Sequence, residues 1–157
     1  MLDKCAQIWD DVRKNTPLVH CITNYVTVND VANIILAGGA SPAMVEHPQE
    51  AYDFARIASA LYLNLGTLTS EQELAMVEAV KGAASNRVPV IVDPVACGVI
   101  PRKVEVLKKL GVNSGAIACI KGNSAEIKSL AGFEANARGV DSIDKGEGME
   151  DACQSLA

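Results

Sequence analysis

Residues 60–94 read ALYLNLGTLTSEQELAMVEAVKGAASNRVPVIVDP, and this stretch decides the fold. It opens with ALYLNL, an apolar run of strand length, and Gly66-Thr67 turn the chain out of it. Ser70-Glu71-Gln72-Glu73 has the spacing of a capping box and predicts a long helix to about Ser85. VPVIVD follows, fully apolar until Asp93-Pro94. An apolar run without polar alternation marks a strand covered on both faces, as in a parallel sheet. Strand, helix and strand in this order make a βαβ unit.

The flanking sequence repeats the pattern. Leu2, Cys5, Ile8, Trp9 and Val12 follow helical spacing, so residues 2–14 read as an amphipathic helix. LVHCI after Pro17 is a short strand, and VTVNDVANIILA (26–37) is apolar nearly all round, which predicts a buried helix ended by Gly38-Gly39. A short strand, SPAM, and a helix over 49–59 lead into the central unit. Beyond it come a helix over 102–110, the strand AIACI, the turn Lys121-Gly122-Asn123 and a helix to Leu130. Residues 133–147, richer in Gly and charge, read as a surface excursion. Met149, Ala152, Cys153 and Leu156 share one face of a last helix that has no cap and no following strand; such an end reads either as an unfinished fold or as a domain that closes on a helix. The whole is an α/β chain with a mostly parallel sheet, right-handed crossovers and a single domain over 1–157, which the resemblance given below implies to be incomplete.

Composition narrows the function classes. The chain of 157 residues is 49% hydrophobic and 21% charged, a globular balance. A formal charge of −5 argues against a nucleic-acid partner or an anionic membrane surface, though not against a phosphate ligand held by a few donors. No apolar run reaches the roughly 20 residues of a membrane span. The start, MLDKCAQIWDDVRK, is acidic where a signal peptide would be basic, so a cytoplasmic location is expected. The five cysteines show no CxxC spacing and read as buried, reduced thiols; no zinc site fits with His20 and His47, which read as structural or solvated.

In open parallel sheets ligands bind beyond the carboxyl ends of the strands. That rule selects residues 21–24, 44–47, 93–98 and 121–126. Asp93, fixed by Pro94, either holds a magnesium ion through its carboxylate or caps the next turn. Asn123 and Glu126 either form a capping box or, with Lys121 at a positive helix end, bind phosphate or hydrated magnesium. Asn29 and Asn33 lie one turn apart on the helix predicted to be buried, where their amides need partners. Met44 reads as core filler or as a pocket wall for a flat heteroaromatic ring. GxSxG, Walker, HExxH and GxGxxG motifs are absent from the sequence.

Taken together, PLVHCITNYVTVNDVANIILAGGASPAMVEHPQEA, LYLNLGTL, VPVIVDPVACG…PR and IKGNSAEI resemble the hydroxyethylthiazole kinases in residues and order, over roughly 1–145. The resemblance implies a ribokinase-like three-layer α/β/α fold. It also implies transfer of the ATP γ-phosphate to the hydroxyl of 4-methyl-5-(2-hydroxyethyl)thiazole, in thiamine biosynthesis or salvage. By position it assigns Met44 and Asn24 to substrate, Lys121 and Asn123 to ATP, and Asp93 and Glu126 to Mg2+. It implies a homotrimer with the thiazole pocket between subunits. Cys97 stands in a loop that is usually glycine-rich, and Ser124-Ala125 replaces the usual order before Glu126. The anion hole, a nucleotide-binding threonine and the activating residue are expected beyond Ala157, so no catalytic residue is expected within the chain and the polypeptide alone is expected to be inactive. Two other readings remain: a non-catalytic thiazole-binding or structural fragment, and the related ATP- or ADP-dependent NAD(P)H-hydrate dehydratase, whose amino-terminal pocket sequence finds no match here.

Overall fold

A computed structural model describes residues 2–112, 115–134, 137–138, 141–142 and 146–157. The first half runs α1 (Leu2–Asn15), β1 (Leu18–Ile22), α2 (Val28–Gly38), β2 (Ser41–Ala43), α3 (Pro48–Ile57) and β3 (Ala60–Asn64). The second runs α4 (Ser70–Ser85), β4 (Val90–Asp93), α5 (Pro101–Lys109), β5 (Cys119–Ile120), α6 (Ser124–Ala131), β6 (Ala137–Arg138), β7 (Asp141–Ser142) and α7 (Met149–Leu156). The first five strands form one parallel sheet in the order β2-β1-β3-β4-β5, while β6 and β7 pair antiparallel. The expected α/β architecture with a parallel sheet is what the chain adopts.

Register puts alternate residues on opposite faces. His20, Leu61 and Val90 share one row, and Ile22, Leu63 and Val92 another. The apolar residues of these rows, with Leu65, pack against Ala75, Met76, Ala79, Val80 and Ala83 of α4, Val106 and Leu107 of α5, and Leu110 just past its end. Each fully buried leucine contributes about 1.5–3 kcal/mol relative to exposure, so this side of the sheet carries most of the hydrophobic stabilisation. Cys21, Tyr62, Ile91 and Cys119 line the opposite face, and of these only Cys21 is fully buried.

Small side chains let α3 and α4 approach closely. Ala51 and Ala55 are fully buried, and Gly82 leaves room for the Tyr52 carbonyl, which a Cβ there would strike. The chain enters α3 one residue earlier than expected, with Pro48 at its first turn and His47 Nδ1 accepting the Gln49 N–H at 3.3 Å.

Three expectations need correction. The capping box of α4 is Thr69 with Gln72, not Ser70 with Glu73: the Thr69 hydroxyl accepts the Gln72 N–H and the Gln72 carbonyl accepts the Thr69 N–H. The α2 helix is not buried. None of its residues is, Ile34 is 72% exposed, and Asn29 and Asn33 face solvent, because among the described residues α2 packs chiefly on β2 and α1. The amphipathic α1 likewise leaves Leu2, Ile8 and Trp9 exposed. Only Cys21 and Cys97 are buried, whereas Cys5, Cys119 and Cys153 are exposed free thiols, since α1 and α7 and the edge strand β5 leave them uncovered. The surface excursion over 133–147 falls partly outside the described residues; what is described of it includes β6 and β7. No helix among the described residues is long and apolar enough to cross a membrane.

Candidate functional site

The strand order reverses between β1 and β3. The chain leaves β1 for β2 on one side and returns past β1 to β3 on the other, which makes a topological switch point. Two amides meet there. Asn24, just beyond β1, donates to Asn64 Oδ1 at the end of β3 over 2.8 Å and to Thr27 Oγ1 over 3.0 Å. Its own Oδ1 accepts the N–H groups of Val26 and Thr27, each at 3.0 Å. Asn64 donates to the Tyr62 hydroxyl at 3.1 Å and accepts the Gly66 N–H at 3.0 Å. Gly66 is required for this approach, because a Cβ would collide with the Asn24 side chain. Thr23, beside Asn24, is buried, and its hydroxyl has no hydrogen-bond partner among the described residues. Burial raises the Tyr62 phenol above its ordinary pKa, and the Asn64 bond partly offsets that.

Met44 follows β2 and is half-buried at the same edge. Its segment is anchored by His20, whose Nε2 lies 2.6 Å from the Val45 carbonyl. The imidazole is fully buried, stands edge-on to Phe54 and has its pKa lowered by desolvation, so it serves the fold as a neutral ring.

A second cluster lies at the ends of β4 and β5. Asp93 ends β4, pairs in register with Asn64, and is 6% exposed. Lys121, just past β5, reaches across with Nζ 3.0 Å from Asp93 Oδ2, and this bond raises the lysine pKa. Asn123 caps α6, and Glu126 completes the capping box: its Oε2 accepts the Asn123 N–H at 2.8 Å. The other oxygen, Oε1, accepts the Ala96 N–H at 2.7 Å. Asp93 Oδ1 accepts the Val95 N–H at 3.4 Å, the turn-capping role open to it from sequence. Both capping readings therefore hold, and neither removes the side chain from the ligand edge.

Lys103 escaped the sequence reading. It is 5% exposed and donates through Nζ to the Val95 carbonyl at 2.7 Å; desolvation lowers its pKa. A signal was available, because Lys103, Val106, Leu107 and Leu110 fall at i, i+3, i+4 and i+7 on one helical face. Lys103 and Glu126 together hold the loop after Asp93, in which Ala96 takes the left-handed φ of 57° that a Cβ disfavours. Cys97 in the same loop has its thiol pushed up to about 11, chiefly by burial. Among the described residues no three His, Cys, Asp or Glu side chains gather as a metal cage. The oxygen donors of Asp93 and Glu126 do suit a cation that keeps most of its waters, as magnesium does.

An open parallel sheet with amides at its switch point, and an acid, a base and a capped helix at the next strand ends, defines an α/β protein whose polar side chains gather at the edge where such folds take ligands. Residues 9–157 match the Hydroxyethylthiazole kinase family, and the chain belongs to that family. It is 66% identical over all 157 residues to a hydroxyethylthiazole kinase of Syntrophomonas wolfei and 55% identical to one of Clostridium novyi, in each case spanning 59% of the relative's length. The solved hydroxyethylthiazole kinase of Pyrococcus horikoshii OT3 superposes with a TM-score of 0.78 at 34% identity, over 95% of this chain and 53% of that one. The chain thus spans little more than half the length of the relatives it matches.

Proposed function

We propose that these residues form the substrate-holding part of an ATP-dependent kinase acting on the hydroxyl of 4-methyl-5-(2-hydroxyethyl)thiazole, for thiamine biosynthesis or salvage. The observation that carries the reading is the Lys121–Asp93 pair, 3.0 Å apart at adjacent strand ends of a chain belonging to this family. Lys121 is positioned to meet a nucleotide phosphate, and the Asn123 cap directs the α6 amino terminus toward the same anion. Asn24 and Met44 line the thiazole side of the edge. Asp93 and Glu126 would hold Mg2+ through its waters, and the bound ion would supply charge neutralisation at the phosphates.

Phosphoryl transfer rests on positioning and on stabilising spread negative charge. None of the residues above supplies an anion hole at the transferred phosphate. The 157-residue polypeptide on its own therefore binds the thiazole alcohol and shows no turnover, whereas a protein of the relatives' full length phosphorylates it. The relatives' pocket forms between subunits on this reading, and the active assembly is a cytoplasmic homotrimer. Coupled ADP-release assays on both lengths, with and without the thiazole alcohol, test the proposal. Robust turnover by the 157-residue chain would sink the division of labour, and no thiazole-dependent turnover at full length would sink the substrate.

A further inference from the structure

Gln72 does more than cap α4. A capping box takes Glu or Gln at this position, because only an acceptor oxygen is needed. Gln72 meets that need with Oε1, which accepts the Thr69 N–H at 3.2 Å. Its two amide hydrogens are surplus to capping, and both are used: Nε2 donates to the Thr23 carbonyl and to Glu46 Oε2, each at 3.1 Å. The side chain is 2% exposed, and Glu46 Oε1 in turn accepts the Tyr25 hydroxyl at 3.2 Å. Thr23 follows β1, Glu46 follows β2 and Thr69 follows β3, so one buried amide joins all three loops at this end of the ligand edge. A glutamate would cap the helix equally well, yet it would set a second carboxylate against Glu46 and an acceptor against the Thr23 carbonyl.

We propose that Gln72 is a positioning residue, whose amide clamps the loop carrying Asn24 to the loop carrying Met44 and so fixes the width of the thiazole pocket. The inference rests on the function proposed above for those two residues. It is tested in the full-length protein with Gln72→Glu, with Glu46→Gln, and with both together, which exchanges donor and acceptor across the same contact. Amide hydrogen exchange is the first readout. Gln72→Glu speeds exchange together at residues 23–27, 44–47 and 69–70 while the interior of α4 keeps its protection. The second readout is kinetic: KM for the thiazole alcohol rises about tenfold or more in Gln72→Glu, with kcat and the KM for ATP within about twofold. The double substitution restores the contact to residue 46 but not the bond to the Thr23 carbonyl, so protection returns at 44–47 while 23–27 stays fast and KM stays raised.

Exchange confined to 69–72, or a double variant whose KM and exchange at 23–27 return to the parent's, overturns the clamp. Should the unsubstituted protein fail to phosphorylate the thiazole alcohol, the proposed substrate falls and the exchange pattern decides the clamp by itself. Should Gln72→Glu fail to fold, Glu46→Ala is read in the same way: faster exchange at both 44–47 and 23–27 supports the clamp, and a change limited to 44–47 refutes it.

Discussion

Glu126 accepts the backbone N–H of Ala96 at 2.7 Å, across thirty residues of chain, while its other oxygen caps its own helix. One buried carboxylate therefore fixes both the start of α6 and the loop that follows Asp93. Removing it leaves two donors unsatisfied, one of them buried. Hydrogen bonds to a charged group contribute about 1.5–3 kcal/mol each, so Glu126→Ala lowers stability by roughly 3 kcal/mol or more. Glu126→Gln keeps one acceptor oxygen and loses about half as much. Urea unfolding reads this as a fall in midpoint at constant slope. Equal midpoints for Glu126→Ala and the parent would show that water replaces both bonds.

Lys103 gives stability a pH dependence whose sign is fixed by its burial. Desolvation lowers its pKa in the folded protein, while the unfolded chain keeps the ordinary value near 10.5. Between those two values the unfolded state binds more protons, so stability from this group rises with pH. Below the folded pKa the full cost of burying the ammonium is present; above about 10.5 it is gone. The difference in unfolding free energy between the parent and Lys103→Met therefore shifts toward the parent as pH rises toward 10.5. Its test is parallel urea titrations at several pH values, and a flat difference would mean that the amine is solvated.

The strands that build the ligand edge were legible because each is an apolar run closed by a turn signal: LVHCI, ALYLNL and VPVIVD all became strands with polar residues at their carboxyl ends. Periodicity failed where the partner matters more than the pattern. The α2 residues avoid water by type, but pattern alone does not say what covers them, and within this chain Ile34 and Leu36 stay exposed. Similarly, AIACI yields only Cys119–Ile120 as strand, because β5 pairs with β4 alone at the sheet edge. The strand-end rule and capping spacing pick out Asp93, Lys121, Asn123 and Glu126 from sequence, and the structure places them at adjacent strand ends. Tyr62, Asn64 and Gln72 were missed for a common reason: each acts through a contact to a distant loop, or to a side chain reached only through pleat and register.

Gly82 lies inside α4, where replacing Gly by Ala ordinarily gains about 0.5–1 kcal/mol. Here the Cβ would run into the Tyr52 carbonyl of α3, and a backbone group cannot rotate aside as a side chain can. Overpacking of that kind costs about 1–3 kcal/mol, which exceeds the propensity gain. Gly82→Ala therefore lowers the thermal midpoint. A raised midpoint would mean that α3 and α4 separate at little cost.

Lys121 should divide stability from ligand binding. Its side chain is 70% exposed, so its pair with Asp93 is screened by water and contributes at most about 1 kcal/mol to folding. Lys121→Ala accordingly leaves the thermal midpoint within a few degrees of the parent. If the ammonium meets a nucleotide phosphate, its loss weakens ATP binding by about tenfold or more, the equivalent of about 1.4 kcal/mol. Calorimetric titration of ATP into both proteins checks this, and raising the salt should narrow the gap between them. Unchanged ATP affinity with a large fall in midpoint would reverse the assignment and make the Asp93 pair a structural bond.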